Sequence, residues 1–341
     1  MEKLHQDVRA AASALSVELP MLAKAAVKSE KMIKVAMEGL RSRVPPEGCP
    51  FDVVVLGSVA RFEASDESDF DFLIVAHQRP ADPRLSRRLL EAIDEVRASE
   101  LNLSKPGATR MFGGVISAPD LTERIGLEQD TNRTHSHRIL LLEESRSLFQ
   151  PEVHRDLIRA IIERYLLDAE SRDSPVPRFL LNDILRYWRT LAVDYEAKRW
   201  EGLEQNWGLR YLKLRVSRKV AFAGTLASLF CCPDADSLRD YLVGEFLKPP
   251  LARFAQIHDR VEPSLKPRLR EVLEIAEDFA VRLADPDFRT TATSVSNRSQ
   301  LEASDEMRAA RGDARRLQNA LEAIFFDSDL LSEKSRHYLS F

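Results

Sequence analysis

Leu56-Gly57-Ser58-Val59-Ala60-Arg61-Phe62-Glu63-Ala64-Ser65-Asp66-Glu67-Ser68-Asp69-Phe70-Asp71-Phe72-Leu73-Ile74-Val75 is the stretch on which the reading of this chain turns. The run that leads into it, Phe51-Asp52-Val53-Val54-Val55-Leu56, is short, apolar and rich in β-branched residues, which predicts a buried strand. A second apolar run, Phe70 to Ala76, predicts another. Alternate residues of a strand share a face, so Asp69 and Asp71 point one way and Phe70 and Phe72 point into the core. Two carboxylates on one rigid face suit Mg²⁺ (or Mn²⁺), which takes hard oxygen ligands and fills its shell with water and phosphate oxygens. A pair of such ions clamps both sides of an in-line phosphoryl or nucleotidyl displacement. At the end of the first strand, Gly57 lets the backbone approach a phosphate with no Cβ in the way. Ser58 adds a hydroxyl and opens a short helix whose amides would face an anion. One strand end is thus suited to the phosphates of an NTP and its neighbour to the metal.

Outward from this stretch the chain divides in two. Residues 3–44 have the spacing of one or two amphipathic helices, with Leu22, Ala25, Ala26, Ile33 and Ala36 on one side, and Pro45-Pro46-Glu47-Gly48 stops them. Residues 83–99 predict a helix with Leu85, Leu89, Ile93 and Val96 on one face. Residues 111–117 predict a third strand, in which Gly113 and Gly114 allow close backbone approach. After Pro151 the pattern becomes helix after helix, punctuated by prolines. Residues 289–304 are small and polar and predict a loop, and a last helix is expected from about 304 to 325. The expectation is an α+β chain: a mixed-sheet domain over 1–150 with N-terminal helices, and a helical domain over 151–341.

The bulk composition is that of a globular protein. The 341 residues are 44% hydrophobic and 30% charged, which excludes a disordered or collagen-like chain. A net charge of −4 argues against a protein that coats nucleic acid nonspecifically, while leaving a local basic face possible. Three cysteines, two of them adjacent at Cys231-Cys232, suit a reducing compartment and leave no thiolate zinc motif. The N-terminus lacks the apolar core of a signal peptide, and Val220 to Cys232 is too short to span a bilayer. A cytoplasmic protein with no membrane partner is expected.

The string Gly-Ser-x-Ala-Arg-x-Glu, followed by Ser-Asp-x-Asp at the second strand, resembles the signature of the DNA polymerase beta-type nucleotidyltransferase superfamily. Within it, Gly57 to Glu63, Phe112-Gly113-Gly114-Val115-Ile116-Ser117 and Leu141-Leu142-Glu143-Glu144-Ser145-Arg146 are similar to the branch of the nitrogen-regulation uridylyltransferase and its uncharacterised relatives. The resemblance covers roughly residues 50–150. It implies a five-stranded mixed sheet, a helical domain closing over the nucleotide, and a compact, stand-alone enzyme without that branch's regulatory modules. By that resemblance Asp69 and Asp71 hold the metals, and Gly57, Ser58 and Arg61 belong to the nucleotide site. The superfamily usually supplies a third carboxylate from a later strand, but residues 111–117 contain no acid. Asp120, Glu143 and Glu144 are the candidates. Glu144 is favoured because it aligns with the acid of the Leu-Leu-Asp-x-Arg motif, with a structural pairing to Arg146 as the competing role.

In the helical half, residues 208–219 predict one basic helix. Its Arg210, Lys213 and Ser217 share a face that suits the triphosphate or an acceptor's phosphates. The aromatic residues Tyr187, Trp188, Tyr195, Trp200 and Trp207 are expected mainly in the core, with one available to stack on a base. His135 and His137 are expected on a helix surface rather than on a metal. Asn132, Arg133 and Arg138 are candidate phosphate or substrate contacts. The leading expectation is a Mg²⁺-dependent transfer of an NMP from an NTP to a hydroxyl acceptor: an RNA end, a protein side chain or a second nucleotide. The alternative is a non-catalytic nucleotidyltransferase-like module that binds a nucleotide or a partner, as in a toxin–antitoxin or defence pair.

Overall fold

The computed structural model describes residues 2–103, 112–126, 128–167, 176–200, 206–233 and 235–339. The protein is α+β and forms two compact units, which interleave along the chain. A sheet-bearing unit contains residues 26–183 and 233–249, and a helical unit contains 1–25, 184–232 and 250–341. The division expected at 150 is therefore not where the compact units part; the chain passes between them at 25/26, 183/184, 232/233 and 249/250.

In the sheet-bearing unit, β1 (Phe51–Leu56) runs straight into a single helical turn, α3 (Gly57–Ala60). β2 (Phe72–Ala76) follows, then α4 (Pro83–Glu95), which continues as a π-helical turn over Val96–Glu100. Next come β3 (Val115–Ser117), α5 (Ala118–Thr122), α6 (Asn132–Glu144), β4 (Ser145–Ser147) and α7 (Pro151–Leu166). Among the described residues the sheet has four strands in the order β3-β2-β1-β4. The β1–β2 and β1–β4 pairs are antiparallel and β2–β3 is parallel. The second strand begins at Phe72 rather than Phe70, and Met111 of the expected third strand lies outside the described residues.

Every residue of β1 and β2 is buried, because the sheet is covered on both faces. Phe51, Val53 and Val55 of β1 join Phe72, Ile74 and Ala76 of β2 in a core with Ala36 and Leu40 of α2 (Pro20–Arg43) and with Leu89 and Ile93 of α4. The opposite face of β1 meets α6 and α7. This two-sided burial is why the strands read as continuous apolar runs instead of alternating ones. Helix α11 (Ala235–Phe246) packs on α7 in the same unit.

The helical unit contains α1 (Gln6–Ala14), α9 (Trp207–Arg215), α10 (Ser217–Phe230), α12 (Pro250–Ala255), α13 (Lys266–Ala284), α14 (Pro286–Ser294), α15 (Arg298–Ala303), α16 (Asp305–Asp327) and α17 (Ser332–Leu339). Residues 289–304, expected as a loop, instead form most of α14 and all of α15. Asp285 and Asn297 supply N-caps to the two helices, Phe288, Ala292 and Leu301 give them buried faces, and the local polarity concealed both. The basic helix expected over 208–219 is broken at Val216, whose backbone (φ −117°, ψ −82°) is not helical. Lys213 and Ser217 therefore stand on different helices. α8 (Arg178–Trp200) crosses from one unit into the other between Asp183 and Ile184. No helix among the described residues is long and apolar enough to cross a membrane.

Candidate active site

The registers bring one end of each strand to a common edge of the sheet. Leu56, the last residue of β1, pairs with Ser145, the first of β4. Its amide donates to the Asp71 carbonyl at 2.9 Å, just ahead of β2. On the other side of β2, the Gly113 amide donates to the Phe72 carbonyl at 2.8 Å, and Ile74 donates to the Gly114 carbonyl at 3.0 Å. Glu144, Gly57, Asp71 and Gly113 thus line up across four neighbouring chains spaced about 4.8 Å apart.

Gly57 has a left-handed backbone, φ +67°. A Cβ built there would lie 3.5 Å from Asp71 Oδ2, so the missing side chain leaves the carboxylate beside bare backbone. Asp71 is half-buried and Asp69 is exposed, while Phe70 and Phe72 are in the core as the alternation required. Ser58 is half-buried, and its hydroxyl makes no hydrogen bond to a described residue. Two carboxylates two residues apart, beside a glycine cradle, are a donor set that suits Mg²⁺ or Mn²⁺, since such ions keep several waters and take substrate phosphates. Among the described residues no group of three His, Cys, Asp or Glu side chains converges.

Arg61 and Glu144 meet at this edge as a buried ion pair. Arg61 is buried, with its Nε 2.9 Å from Glu63 and its Nη1 hydrogen-bonded to Glu144. Burial alone would lower the Arg61 pKa, but the Glu63 and Glu144 carboxylates outweigh it and raise the value. The guanidinium is therefore committed to two acids. The competing partner proposed for Glu144, Arg146, lies over the Phe62 ring at 5.6 Å and donates to the Ser145 carbonyl. Asp120 is remote: it follows Ser117, which pairs with Ala76 at the far end of β2, roughly 16 Å along the strand from Asp71. There it pairs with Arg79.

Lys213 and Ser217 belong to the helical unit, half-buried on α9 and α10. Of the expected aromatic residues, Tyr187 and Trp207 are buried, Trp188 stacks on Phe222 at 4.9 Å, and Trp207 stacks on Tyr211 at 5.4 Å. The side chain of Trp200 lies outside the described residues. His135 and His137 are buried inside α6, not on its surface. Arg138 is also fully buried, gripped bidentately by Asp130 at 2.6 and 3.2 Å and by the Tyr165 hydroxyl at 2.8 Å, with Asp183 beside it at 3.3 Å. It joins α6, α7 and α8 and is not placed to meet a substrate. The histidine and Arg138 expectations failed for one reason. α6 is buried almost all round from His135 to Glu144, so its polar residues look inward, and no periodicity in the sequence reveals that.

No family model, no curated protein and no solved structure matches the chain.

Proposed function

We propose that the protein is a nucleotidyltransferase that moves an NMP from an NTP to a hydroxyl acceptor. The observation that carries the reading is the shared sheet edge on which Gly57, Ser58 and Asp71 meet, with Asp69 two residues before Asp71. Bound Mg²⁺ or Mn²⁺ would supply Lewis-acid charge at the reacting phosphorus and leaving oxygen. Asp69 and Asp71 would hold the ions, and the Gly57 backbone with the Ser58 hydroxyl would receive phosphate oxygens. The acceptor oxygen forms a bond to the α-phosphorus as the bond to the β-phosphate oxygen breaks. Pyrophosphate leaves with the electron pair, and the acceptor's proton passes to solvent or to a carboxylate. Arg61, held by Glu63 and Glu144, fixes the turn that presents Gly57 and Ser58 rather than touching phosphate. The acceptor is an RNA end, a protein side chain or a second nucleotide, and a cytoplasmic setting fits all three.

A second reading, a nucleotide-binding module without catalysis, draws support from one observation: the favoured third acid, Glu144, is occupied by Arg61. One experiment separates the two. Incubation with each α-labelled NTP, Mg²⁺ or Mn²⁺ and pools of RNA or protein acceptor is expected to give label transfer that is lost in Asp69→Ala and in Asp71→Ala. Metal-dependent NTP binding with no transfer to any pool would favour the module. Absence of metal-dependent NTP binding would sink both.

A further inference from the structure

Arg133, one of the candidate phosphate contacts from the sequence, reaches the sheet edge. It sits in the first turn of α6, exposed, and makes no ion pair or hydrogen bond with any described residue. A cation in the first turn of a helix opposes the helix dipole, so its position there brings no local electrostatic gain. Its Nη2 lies 3.8 Å from where a Cβ on Gly114 would stand, so the guanidinium reaches the Gly-Gly segment that enters β3. Gly113 has a left-handed φ of +75°, and a Cβ there would meet no described residue within 4 Å. Among the described residues, bare backbone at Gly113 and Gly114 and the Arg133 guanidinium therefore adjoin one another, with Gly113 hydrogen-bonded to Phe72, next to Asp71.

We propose that Arg133 binds the terminal phosphates of the nucleoside triphosphate, the portion that departs as pyrophosphate. The assignment rests on the nucleotidyltransferase reading above. Counting across the sheet, Gly57 and Gly113 flank Asp71 from opposite sides, about 10 Å apart at the usual strand spacing. A nucleotide whose α-phosphate lies between the Asp71 carboxylate and the Gly57–Ser58 backbone extends its β and γ phosphates toward Gly113 and Arg133. The planar fork of arginine grips phosphate bidentately, which a lysine does not reproduce. Neutralising the β and γ phosphates there offsets the charge that builds on the leaving group as its bond to the α-phosphorus breaks.

The test is calorimetric titration of the 341-residue chain with Mg²⁺ and a non-hydrolysable NTP, the matching NMP, or inorganic pyrophosphate. The proteins are wild type, Arg133→Ala, Arg133→Lys and Asp71→Asn. Arg133→Ala is expected to weaken NTP and pyrophosphate binding roughly 10- to 100-fold, as for loss of a charge-assisted pair, and to leave NMP binding unchanged. Arg133→Lys is expected to recover part of the loss, and melting curves to match wild type. Equal weakening of NTP and NMP, or weakening of neither, overturns the assignment. So does a variant that keeps NTP affinity and loses only affinity for a phosphorylated acceptor such as RNA. Failure of the underlying reading looks different: wild type then binds no NTP with Mg²⁺, or binds it equally well after Asp71→Asn, and Arg133 loses its assignment with it.

Discussion

Asp52 and His154 are both buried in the sheet-bearing unit and titrate in opposite senses. Burial pushes the Asp52 carboxyl up to about 7, against hydrogen bonds from the Gln150 amide, the Ser147 hydroxyl and the Val53 amide. Its ordinary value is near 4. Between those values the folded chain keeps a proton that the unfolded chain has lost, so stability falls as pH rises from about 4 to about 7. Burial, then Arg146 and His77, lower His154 to about 3, and its Nε2 meets the Ser145 hydroxyl at 2.8 Å. The unfolded histidine titrates near 6.5, so here stability rises with pH from about 3 to about 6.5. The two slopes oppose one another between roughly pH 4 and 6.5, each tending to a tenfold change in the folding equilibrium per pH unit. Asp52→Asn is expected to expose the histidine slope, with stability climbing through this window. His154→Gln is expected to expose the aspartate slope, with stability falling. Urea midpoints at pH 4.5, 5.5 and 6.5 check both; unchanged profiles in both variants would refute the assignment.

The turn α3 is held to α6 by one buried guanidinium, which makes an element-level prediction. Glu144→Ala leaves Arg61 buried with only Glu63 and is expected to cost about 3–5 kcal/mol in denaturant unfolding, as breaking buried ion pairs does. Arg61→Met with Glu63→Leu and Glu144→Leu is expected to recover part of that loss, because the guanidinium and both of its carboxylate partners are then removed together. A Glu144→Gln variant with wild-type stability and abolished transfer would instead make Glu144 the acid that acts on the acceptor. The sequence disclosed the elements well where one signal governed them. β1, most of β2 and the glycine after β1 follow from period-two patterning and backbone sterics, whereas Asp69 and Asp71 lie ahead of β2 rather than in it. The roles of Arg61 and Glu144 were not legible, because their pairing joins residues 83 positions apart and leaves no local trace. The break at Val216 was hidden for a related reason: α9 and α10 each have good helix formers up to the junction, and tertiary packing decides where the axis bends.

At the scale of the whole molecule, the two compact units do not follow chain order. A fragment of residues 1–150 lacks α7, which covers one face of β1, and carries α1 without its packing partner α12. It is therefore expected to be insoluble or molten, and so is its complement 151–341. Far-ultraviolet and near-ultraviolet circular dichroism of each fragment check this; a cooperative melt from 1–150 alone would contradict it. The change from strands to helices near 150 marks a change of element type, and α7, just beyond it, packs within the sheet-bearing unit. The amides of Met21 and Leu22, at the start of α2, are received by the Glu277 carboxylate at 2.6 and 2.9 Å. On the ribosome that arrangement sets a waiting time. At 5–20 residues per second, the 256 positions between Met21 and Glu277 take roughly 13–50 s to synthesise. The first turn of α2 thus waits for its cap until the chain has been made as far as Glu277.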